Sequence, residues 1–332
     1  IGAVENKTPG IFWLYAISNF IFGNNIFFVR GLGIIAILIS SLTIYLIAKK
    51  LHSLLAGIFS MYVFGLTMTW RLMDGEYIAQ TETFMILFSI LSFYLLIRGK
   101  NCDKWKYWTV LSGISIGLAI AFKQIALTTT IGLLFFFLIF FAQNKSKKYK
   151  FLGLTLLLLG IGISTLISIL PLFYSGVSFK DYIDGAWLIL LNPASRGTIQ
   201  DRIFGFLHIW EQSKIVIFYP FLFLLFFQVN LVKNKYYIGL LIWLLFDFIG
   251  VNSSGLYYGH QIKQLMPSLS IIIGILLSNT LIILANQIKS FNTEYVSKVL
   301  ILTIIITFFP YRSFIVNSYF LLSGYSQNPD KE

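Results

Sequence analysis

The sequence predicts an all-α fold: a polytopic bundle of transmembrane helices with interfacial helices in its outer loops. The first observation is composition, because the 332 residues are 57% hydrophobic and only 11% charged, whereas soluble domains are about one-quarter charged. The second is a mean hydropathy of +0.81. The third is that apolar runs long enough to cross a bilayer recur from end to end. Their leucine, isoleucine and phenylalanine residues show no period-two alternation, which favours helices over a β-barrel.

Ten apolar runs are predicted to span the membrane. They cover residues 32–48, 54–70, 83–97, 108–122, 125–142, 151–173, 215–231, 236–251, 265–284 and 299–310. Residues 11–22 are too few to cross a bilayer and are rich in aromatic side chains, which predicts a helix lying at the interface. A single transmembrane domain, 1–332, then divides into an outer loop (1–30), six spans (31–173), an outer loop (174–214), four spans (215–310) and an outer tail (311–332).

The charged residues predict how these spans are oriented. One side of the predicted bundle carries 14 lysines and arginines against two carboxylates, Asp103 and Glu294, and so holds the whole net charge of +12. Because basic residues accumulate on the cytoplasmic side, this basic face is predicted to be cytoplasmic, and we expect an integral, multi-pass protein of the cytoplasmic membrane. Membrane orientation thus explains the net positive charge, and we predict no nucleic acid partner. Nearly every carboxylate lies on the outer side, where we expect an active site.

The start of the chain and its cysteine content bear on its organisation. The chain begins at Ile1 without a methionine, and its first residues lack a signal-peptide layout, so we expect the natural N-terminus to lie upstream. The single cysteine, Cys102, excludes an internal disulfide framework.

Three carboxylates gather where one apolar run begins. Asp74, Glu76 and Glu82 lie within nine residues in "DGEYIAQTE", and they repel one another unless a cation, a shared proton or a substrate lies among them. We predict a catalytic role for all three. For Glu82 with Thr81, capping of the following helix is an equally good interpretation. The acid-x-acid pair could also hold a divalent cation such as Mg²⁺ or Mn²⁺, although solvated loop acids are commoner and no cofactor is certain.

Basic residues face these acids on the same predicted side. Lys7 precedes the interfacial helix, and Lys123 separates two spans in "AIAFKQIALTTT". A lysine at a bilayer edge is most often a snorkelling residue, but it also provides a point charge for a phosphate group at the headgroup level. Arg196 and Arg202, in the long outer loop, are further phosphate-binding candidates. That loop is predicted to form interfacial helices broken at Asn192–Pro193 and to cover a site made by span ends.

A third element supplies polar side chains at the start of the ninth span. The segment "LYYGHQIKQLMPSLS" contains Tyr257, Tyr258, His260 and Gln264, which we predict to line a substrate cavity together with Glu5. Tyrosines at this depth are equally expected of an aromatic belt. No second histidine or cysteine is close enough in sequence to make His260 a metal ligand.

Four short motifs, taken together, resemble the polytopic GT-C glycosyltransferases, in particular the protein O-mannosyltransferases and lipid A aminoarabinose transferases. The segment "NKTPGIFWLYAISNFIFGNNIFFVR" resembles a Lys-Pro-Pro-like segment, short aromatic helix and glycine turn of that family. The other three are the acid of a "TE" pair, an "FKQ" turn and a glycine, histidine, glutamine and proline series. In this sequence the matching residues are Lys7, Pro9, Gly23, Arg30, Thr81, Glu82, Phe122, Lys123, Gln124, Gly259, His260, Gln264 and Pro267.

This resemblance implies a function. Such enzymes are surrounded by membrane lipid and transfer a sugar from a polyprenyl-phosphate donor to a lipid, glycan or protein acceptor outside the cytoplasm. The transfer inverts the configuration at the sugar's anomeric carbon. Lys7 and Lys123 would hold the phosphate, and Glu82 would line the sugar or acceptor side. In that family the principal catalytic aspartate follows the first transmembrane helix, and we expect both to lie upstream of Ile1. Glu5 lies too near Lys7 to be the base. "KTPG" in place of Lys-Pro-Pro departs from the aminoarabinose branch.

Two other functions fit parts of the sequence. A transporter or flippase of lipid-linked sugars would use outer acids for proton coupling. Such proteins often show inverted repeats and charges near the midplane, whereas this sequence shows no repeat and has Asp247 as its only carboxylate well inside a span. A non-catalytic membrane scaffold would not need clustered acids.

Overall fold

The computed structural model describes residues 8–23, 26–68, 79–100, 102–141, 145–188, 198–213, 235–254 and 259–288. Within these ranges all regular structure is helical, which confirms the all-α prediction. The helices are α1 (Gly10–Phe22), α2 (Ile26–Leu51), α3 (Leu54–Met68), α4 (Thr81–Gly99), α5 (Trp105–Phe122), α6 (Ala126–Phe136, continued by a π-helical turn Phe137–Phe141), α7 (Lys147–Tyr174), α8 (Phe179–Ala186), α9 (Ile199–Ser213), α10 (Lys235–Ser254) and α11 (Met266–Ile288). A helical turn Gly259–Ile262 and a 3₁₀ turn Lys263–Leu265 lead into α11 and together form the turn segment.

Eight of the ten predicted spans coincide with described helices. In the part of the chain that the structure describes, six helical stretches are long and apolar enough to cross a membrane: Phe27–Leu51, Thr81–Gly99, Trp105–Phe122, Lys147–Tyr174, Lys235–Ser253 and Gly259–Ile283. Three further described helices, α1, α3 and α6 with its π-helical turn, are apolar but shorter. The predicted spans 215–231 and 299–310, and the predicted break at Asn192–Pro193, lie outside the described residues.

Several helices begin earlier or end later than the apolar runs predict. Helix α7 starts at Lys147, although the apolar run starts at residue 151, because Ser146 caps it by accepting a hydrogen bond from the Tyr149 N–H at 3.3 Å. Helix α2 begins at Ile26, inside the predicted outer loop 1–30. Backbone hydrogen bonding continues through polar residues at a helix end. A prediction from hydropathy alone therefore gives a helix that is too short.

Helix α4 lies at the centre of the bundle, and α2, α5, α6 and the turn segment contact it. Phe93 of α4 stacks on Trp243 of α10 with ring centroids 3.6 Å apart, and both side chains are fully buried. By contrast, α2 and α7 expose rows of large apolar side chains, including Leu38 and Leu166. An exposed apolar surface of this kind suits contact with lipid. The chain is therefore an integral, multi-pass membrane protein.

Short helices lie at the end of the bundle where α4 begins. The predicted interfacial helix 11–22 is observed as α1, which ends at Phe22 and is followed by Gly23, whose φ of 70° favours glycine. The indole N–H of Trp13 donates to the carbonyl oxygen of Ser168 at 3.1 Å and ties α1 to α7. A Cβ atom on Gly10 would lie 2.6 Å from the carbonyl oxygen of Ala121, so α1 starts directly against the end of α5.

Candidate active site

Glu82 lies in the first turn of α4 and is almost completely buried. The residue before the helix, Gln80, has extended backbone angles and makes no side-chain cap. The hydroxyl group of Thr81 donates to Oε2 of Glu82 at 2.8 Å instead of capping the backbone. Among the described residues the side chains of Thr81 and Glu82 form no capping hydrogen bond to the backbone, but Glu82 does lie in the first turn of α4, as a helix N-terminal signal requires. The carboxylate is directed to other side chains.

Those side chains are Lys123 and His260. The ammonium group of Lys123 donates to Oε1 of Glu82, forming an ion pair. The imidazole Nε2 of His260 lies 3.6 Å from the same oxygen. The Glu82 side chain is 4% exposed, while those of Lys123 and His260 are 24% and 27% exposed. A buried carboxylate therefore lies behind two basic groups that a molecule outside the bundle can reach.

Aromatic packing brings Lys123 to Glu82. Helix α5 ends at Phe122, and Lys123 follows in an extended conformation. The Phe122 ring stacks between Phe84 and Phe88 of α4, with centroid distances of 5.4 and 5.6 Å. Because these residues belong to the first two turns of α4, the stack aligns the start of α4 with the end of α5 and so places the lysine beside the acid.

Hydrogen bonds in the membrane-spanning part fix the same alignment. The hydroxyl groups of Ser112 and Ser115 on α5 donate to the α4 carbonyl oxygens of Ser92 and Phe88, each at 2.7 Å. Such bonds between helices are worth on the order of 0.6–2 kcal/mol each in a membrane. Sliding α5 along α4 would break both bonds together with the aromatic stack.

The turn segment brings His260 to the same place and adds a buried lysine that sequence reasoning missed. Lys263 is 1% exposed, and its ammonium group donates to Oε1 of Gln80 at 2.7 Å. Gln80 directly precedes α4, so this bond connects the turn segment to the helix that carries Glu82. The only signal in the sequence was a lysine at the start of an apolar run in "QIKQLMP", and a lysine that becomes fully buried there needs a partner.

The outer helix α8 lies over the turn after α5. The side-chain amide of Gln124 donates to the carbonyl oxygen of Ala186, the last residue of α8. Tyr182, Gly185 and Ala186 of this short helix are buried. Part of the long outer loop therefore packs beside Lys123, as expected for a loop that covers a site made by span ends.

The structure brings three of the predicted site residues together: Glu82, Lys123 and His260. The side-chain amide of Gln264 bonds inside the bundle, 3.0 Å from the hydroxyl group of Thr129, and its predicted contact with substrate stays a prediction. Arg202 belongs to α9. The remaining predicted residues lie outside the described part of the chain; they are Glu5, Lys7, Asp74, Glu76, Arg196, Tyr257 and Tyr258.

No group of three or more histidine, cysteine or carboxylate side chains that could hold a metal ion occurs in the part of the chain that the structure describes. Asp74 and Glu76 fall outside that part, so a cation between them stays a prediction. What the described site offers is one buried carboxylate, one ammonium group and one imidazole. Together they can bind an anion, orient a hydroxyl group and accept a proton.

Comparison with known proteins supports the predicted resemblance. Residues 6–167 match the family described as dolichyl-phosphate-mannose-protein mannosyltransferase. The matched segment includes α1 to α6 and both Glu82 and Lys123. No curated protein sequence matches the chain.

A solved structure with the same fold is the crystal structure of ArnT from Cupriavidus metallidurans bound to undecaprenyl phosphate. Its TM-score is 0.61 at 14% sequence identity, and the match covers 82% of this chain and 50% of that one. The chain thus spans about half the length of the ArnT chain. The family match and this structural match confirm the resemblance to the GT-C glycosyltransferases and the GT-C-like fold.

Proposed function

We propose that this protein is a membrane glycosyltransferase that moves a hexosyl or pentosyl group from a polyprenyl-phosphate-linked donor to an acceptor on the extracytoplasmic side, with inversion. The family match and the fold shared with ArnT support this reaction class. The acceptor is a lipid, a glycan or a protein. The observation that carries the proposal is the cluster of Glu82, Lys123 and His260 at one end of the bundle.

Each member of the cluster has a role in the proposed reaction. Lys123 binds the donor phosphate and stabilises the charge that develops as the phosphate leaves. It is assisted by Lys7, with Arg196 and Arg202 as further phosphate ligands in the outer loop. Glu82 holds Lys123 in place when the site is empty and lines the sugar or acceptor side of the cavity.

The remaining predicted residues complete the proposed site. His260, Tyr257, Tyr258 and Glu5 contact sugar or acceptor hydroxyl groups. Gln264, which was predicted to line the same cavity, supports it from behind, because its amide bonds inside the bundle. Asp74 and Glu76 extend the acidic side of the site and are the ligands of a divalent cation, Mg²⁺ or Mn²⁺, if the reaction uses one. Removing divalent cations with EDTA tests this last point: restoration of turnover by Mn²⁺ or Mg²⁺ supports a metal, and unchanged turnover after chelation excludes it.

The proposed sidedness follows from charge and helix length. Glu82 begins α4 and Arg98 lies in its last turn, followed by Lys100. A helix of 19 residues is about 28 Å long, which is close to the thickness of the hydrocarbon core. The basic end faces the cytoplasm by the positive-inside rule, so the Glu82 cluster faces outward.

The test uses the full chain in proteoliposomes with a synthetic polyprenyl-phosphate donor carrying a labelled sugar. A glycosyltransferase yields labelled acceptor and free polyprenyl phosphate, and Glu82→Gln forms this product about a hundredfold more slowly, or slower still, while the variant still folds. A transporter or flippase, the alternative function, moves labelled donor across the vesicle membrane without a glycosylated product. Transport without transfer would overturn the proposal.

A further inference from the structure

Asp247 is a fully buried carboxyl group and makes no hydrogen bond to the members of the Glu82 cluster. It lies on α10, and its exposed fraction is 1%. Oδ1 accepts a hydrogen bond from the hydroxyl group of Thr129 on α6 at 2.6 Å. The same oxygen accepts a weaker one from Nε2 of Gln264 in the turn segment at 3.3 Å. One carboxyl group thus joins three separate elements.

The other polar atoms of this acid and this amide have no partner. Oδ2 of Asp247 and Oε1 of Gln264 are both buried without a hydrogen bond. Both are acceptors when the acid is ionised, so neither can satisfy the other. Within the described part of the chain, no lysine, arginine or histidine lies within ion-pair distance of Asp247. An isolated carboxylate in such a place is very unfavourable.

We infer that Asp247 is a neutral carboxylic acid whose Oδ2–H donates to Oε1 of Gln264, so that acid and amide form a closed ring of two hydrogen bonds. A single proton then removes both buried unpaired atoms and the isolated charge at once. In this arrangement Asp247 is a positioning residue for the turn segment.

Gln264 connects the ring to the turn segment that carries His260. Gln264 lies in the 3₁₀ turn next to Lys263 and one helical turn after His260. Its amide also donates to the hydroxyl group of Thr128 at 3.1 Å, near the start of α6. Helix α6 begins three residues after Lys123. The ring therefore anchors the turn segment to α6 and α10, and so sets where His260 lies relative to the ion pair.

A glycine on α10 leaves the space that the ring needs. A Cβ atom on Gly250 would lie 2.3 Å from the Thr128 hydroxyl oxygen and 2.9 Å from Nε2 of Gln264. Any other residue at position 250 would displace the Gln264 amide. The glycine thus permits the close approach of α10, α6 and the turn segment that Asp247 joins.

One other donor could satisfy Oδ2. The indole N–H of Trp243, one turn earlier on α10, is buried without a hydrogen-bond partner. If it donated to Oδ2, Asp247 could stay ionised, and Oε1 of Gln264 would remain unpaired. The two arrangements differ in the charge on Asp247, which the experiment below measures.

The test compares Asp247→Asn with Asp247→Leu in the full chain. The asparagine keeps the shape of the acid: its Nδ2–H donates to Oε1 of Gln264, and its Oδ1 accepts from Gln264 and Thr129. We expect the unfolding temperature and sugar-transfer rate of Asp247→Asn to stay close to wild type, within about twofold in rate. For Asp247→Leu we expect a lower unfolding temperature and at least a tenfold slower transfer, since small displacements of reacting groups are costly. If Asp247→Leu fails to fold while Asp247→Asn folds, this larger loss of stability also supports the inference.

Infrared difference spectroscopy reads the proton directly and does not depend on activity. The wild-type minus Asp247→Asn spectrum should contain the C=O stretching band of a protonated carboxyl group, shifted in D₂O, and no carboxylate band. A carboxylate band lost in Asp247→Asn would overturn the inference, as would an asparagine variant as damaged as the leucine variant. The kinetic consequence rests on the proposed function, but the infrared and unfolding results do not. An inactive wild-type protein with a protonated Asp247 would refute the proposed function alone.

Discussion

Replacing Glu82 with glutamine removes the charge that faces Lys123 and leaves the shape of the side chain almost unchanged. Oε1 accepts from Lys123 and Oε2 accepts from Thr81, and an amide oxygen can replace only one of these acceptors. Breaking a fully buried ion pair costs about 3–5 kcal/mol. Lys123 is 24% exposed and can regain hydration, so we expect a loss of only about 1–2 kcal/mol in the free energy of unfolding.

The effect on turnover should be much larger than the effect on stability. Without the carboxylate, Lys123 is no longer held at the end of α5, and the proposed site loses its buried negative group. Groups that transfer protons or stabilise charge in a transition state contribute at least about a hundredfold in rate. We therefore expect sugar transfer by Glu82→Gln to fall by about a hundredfold or more while the protein remains folded.

The assay pairs this variant with Asp103→Asn. Asp103 is an exposed carboxylate in the connection after α4, at the opposite end of that helix from Glu82, so the control makes the same chemical change away from the site. Initial rates come from labelled donor in proteoliposomes, and stability comes from thermal unfolding in the same detergent. If Glu82→Gln transferred sugar within about twofold of the control, the reasoning about Glu82 would be refuted.

A double-mutant cycle separates the ion pair from its surroundings. Lys123→Met and Glu82→Gln remove the same interaction. The summed losses in free energy of unfolding of the two single variants should therefore exceed the loss of the double variant by about 0.5 kcal/mol or more. Additive losses would mean that the contact between the two side chains contributes nothing measurable.

Three further predictions concern the rest of the bundle. Lys7→Ala should weaken binding of polyprenyl phosphate, measured by titration, and an unaltered affinity would make the phosphate assignment wrong. Gly160→Ala should lower the unfolding temperature, because its Cβ would lie 2.4 Å from the carbonyl oxygen of Val110. The control, Gly162→Ala, meets nothing within 4 Å and should be neutral or slightly stabilising. Equal effects of the two substitutions would contradict the close packing of α5 and α7. Lys263→Met should slow sugar transfer by loosening the turn segment, and a rate equal to wild type would exclude that role.

The sequence predicted the architecture because the membrane imposes simple constraints. Composition, run length and aromatic content were enough to predict nine of the described helices, namely eight spans and α1 at 11–22. Their ends were less predictable, as α7 shows, since its first turn is polar and depends on the cap at Ser146. Hydropathy does not register such caps.

The site was predictable only in part. Glu82, Lys123 and His260 could be assigned to one face by orientation and by their family-like motifs, but their contact depends on the Phe122 stack, which no short motif encodes. Lys263 was missed because a lysine beside a predicted span is expected to be a solvated flank. The bond from Gln264 to Asp247 joins two elements that only the fold brings together.

The most direct test of the central claim is a cryo-electron-microscopy structure of the full chain in lipid nanodiscs with bound polyprenyl phosphate. The account predicts phosphate density within hydrogen-bond reach, about 3 Å, of the Lys123 ammonium group, on the side of the bundle where α4 begins. Phosphate bound instead at the basic end near Arg98, or on the lipid-facing surface of α2 or α7, would contradict it.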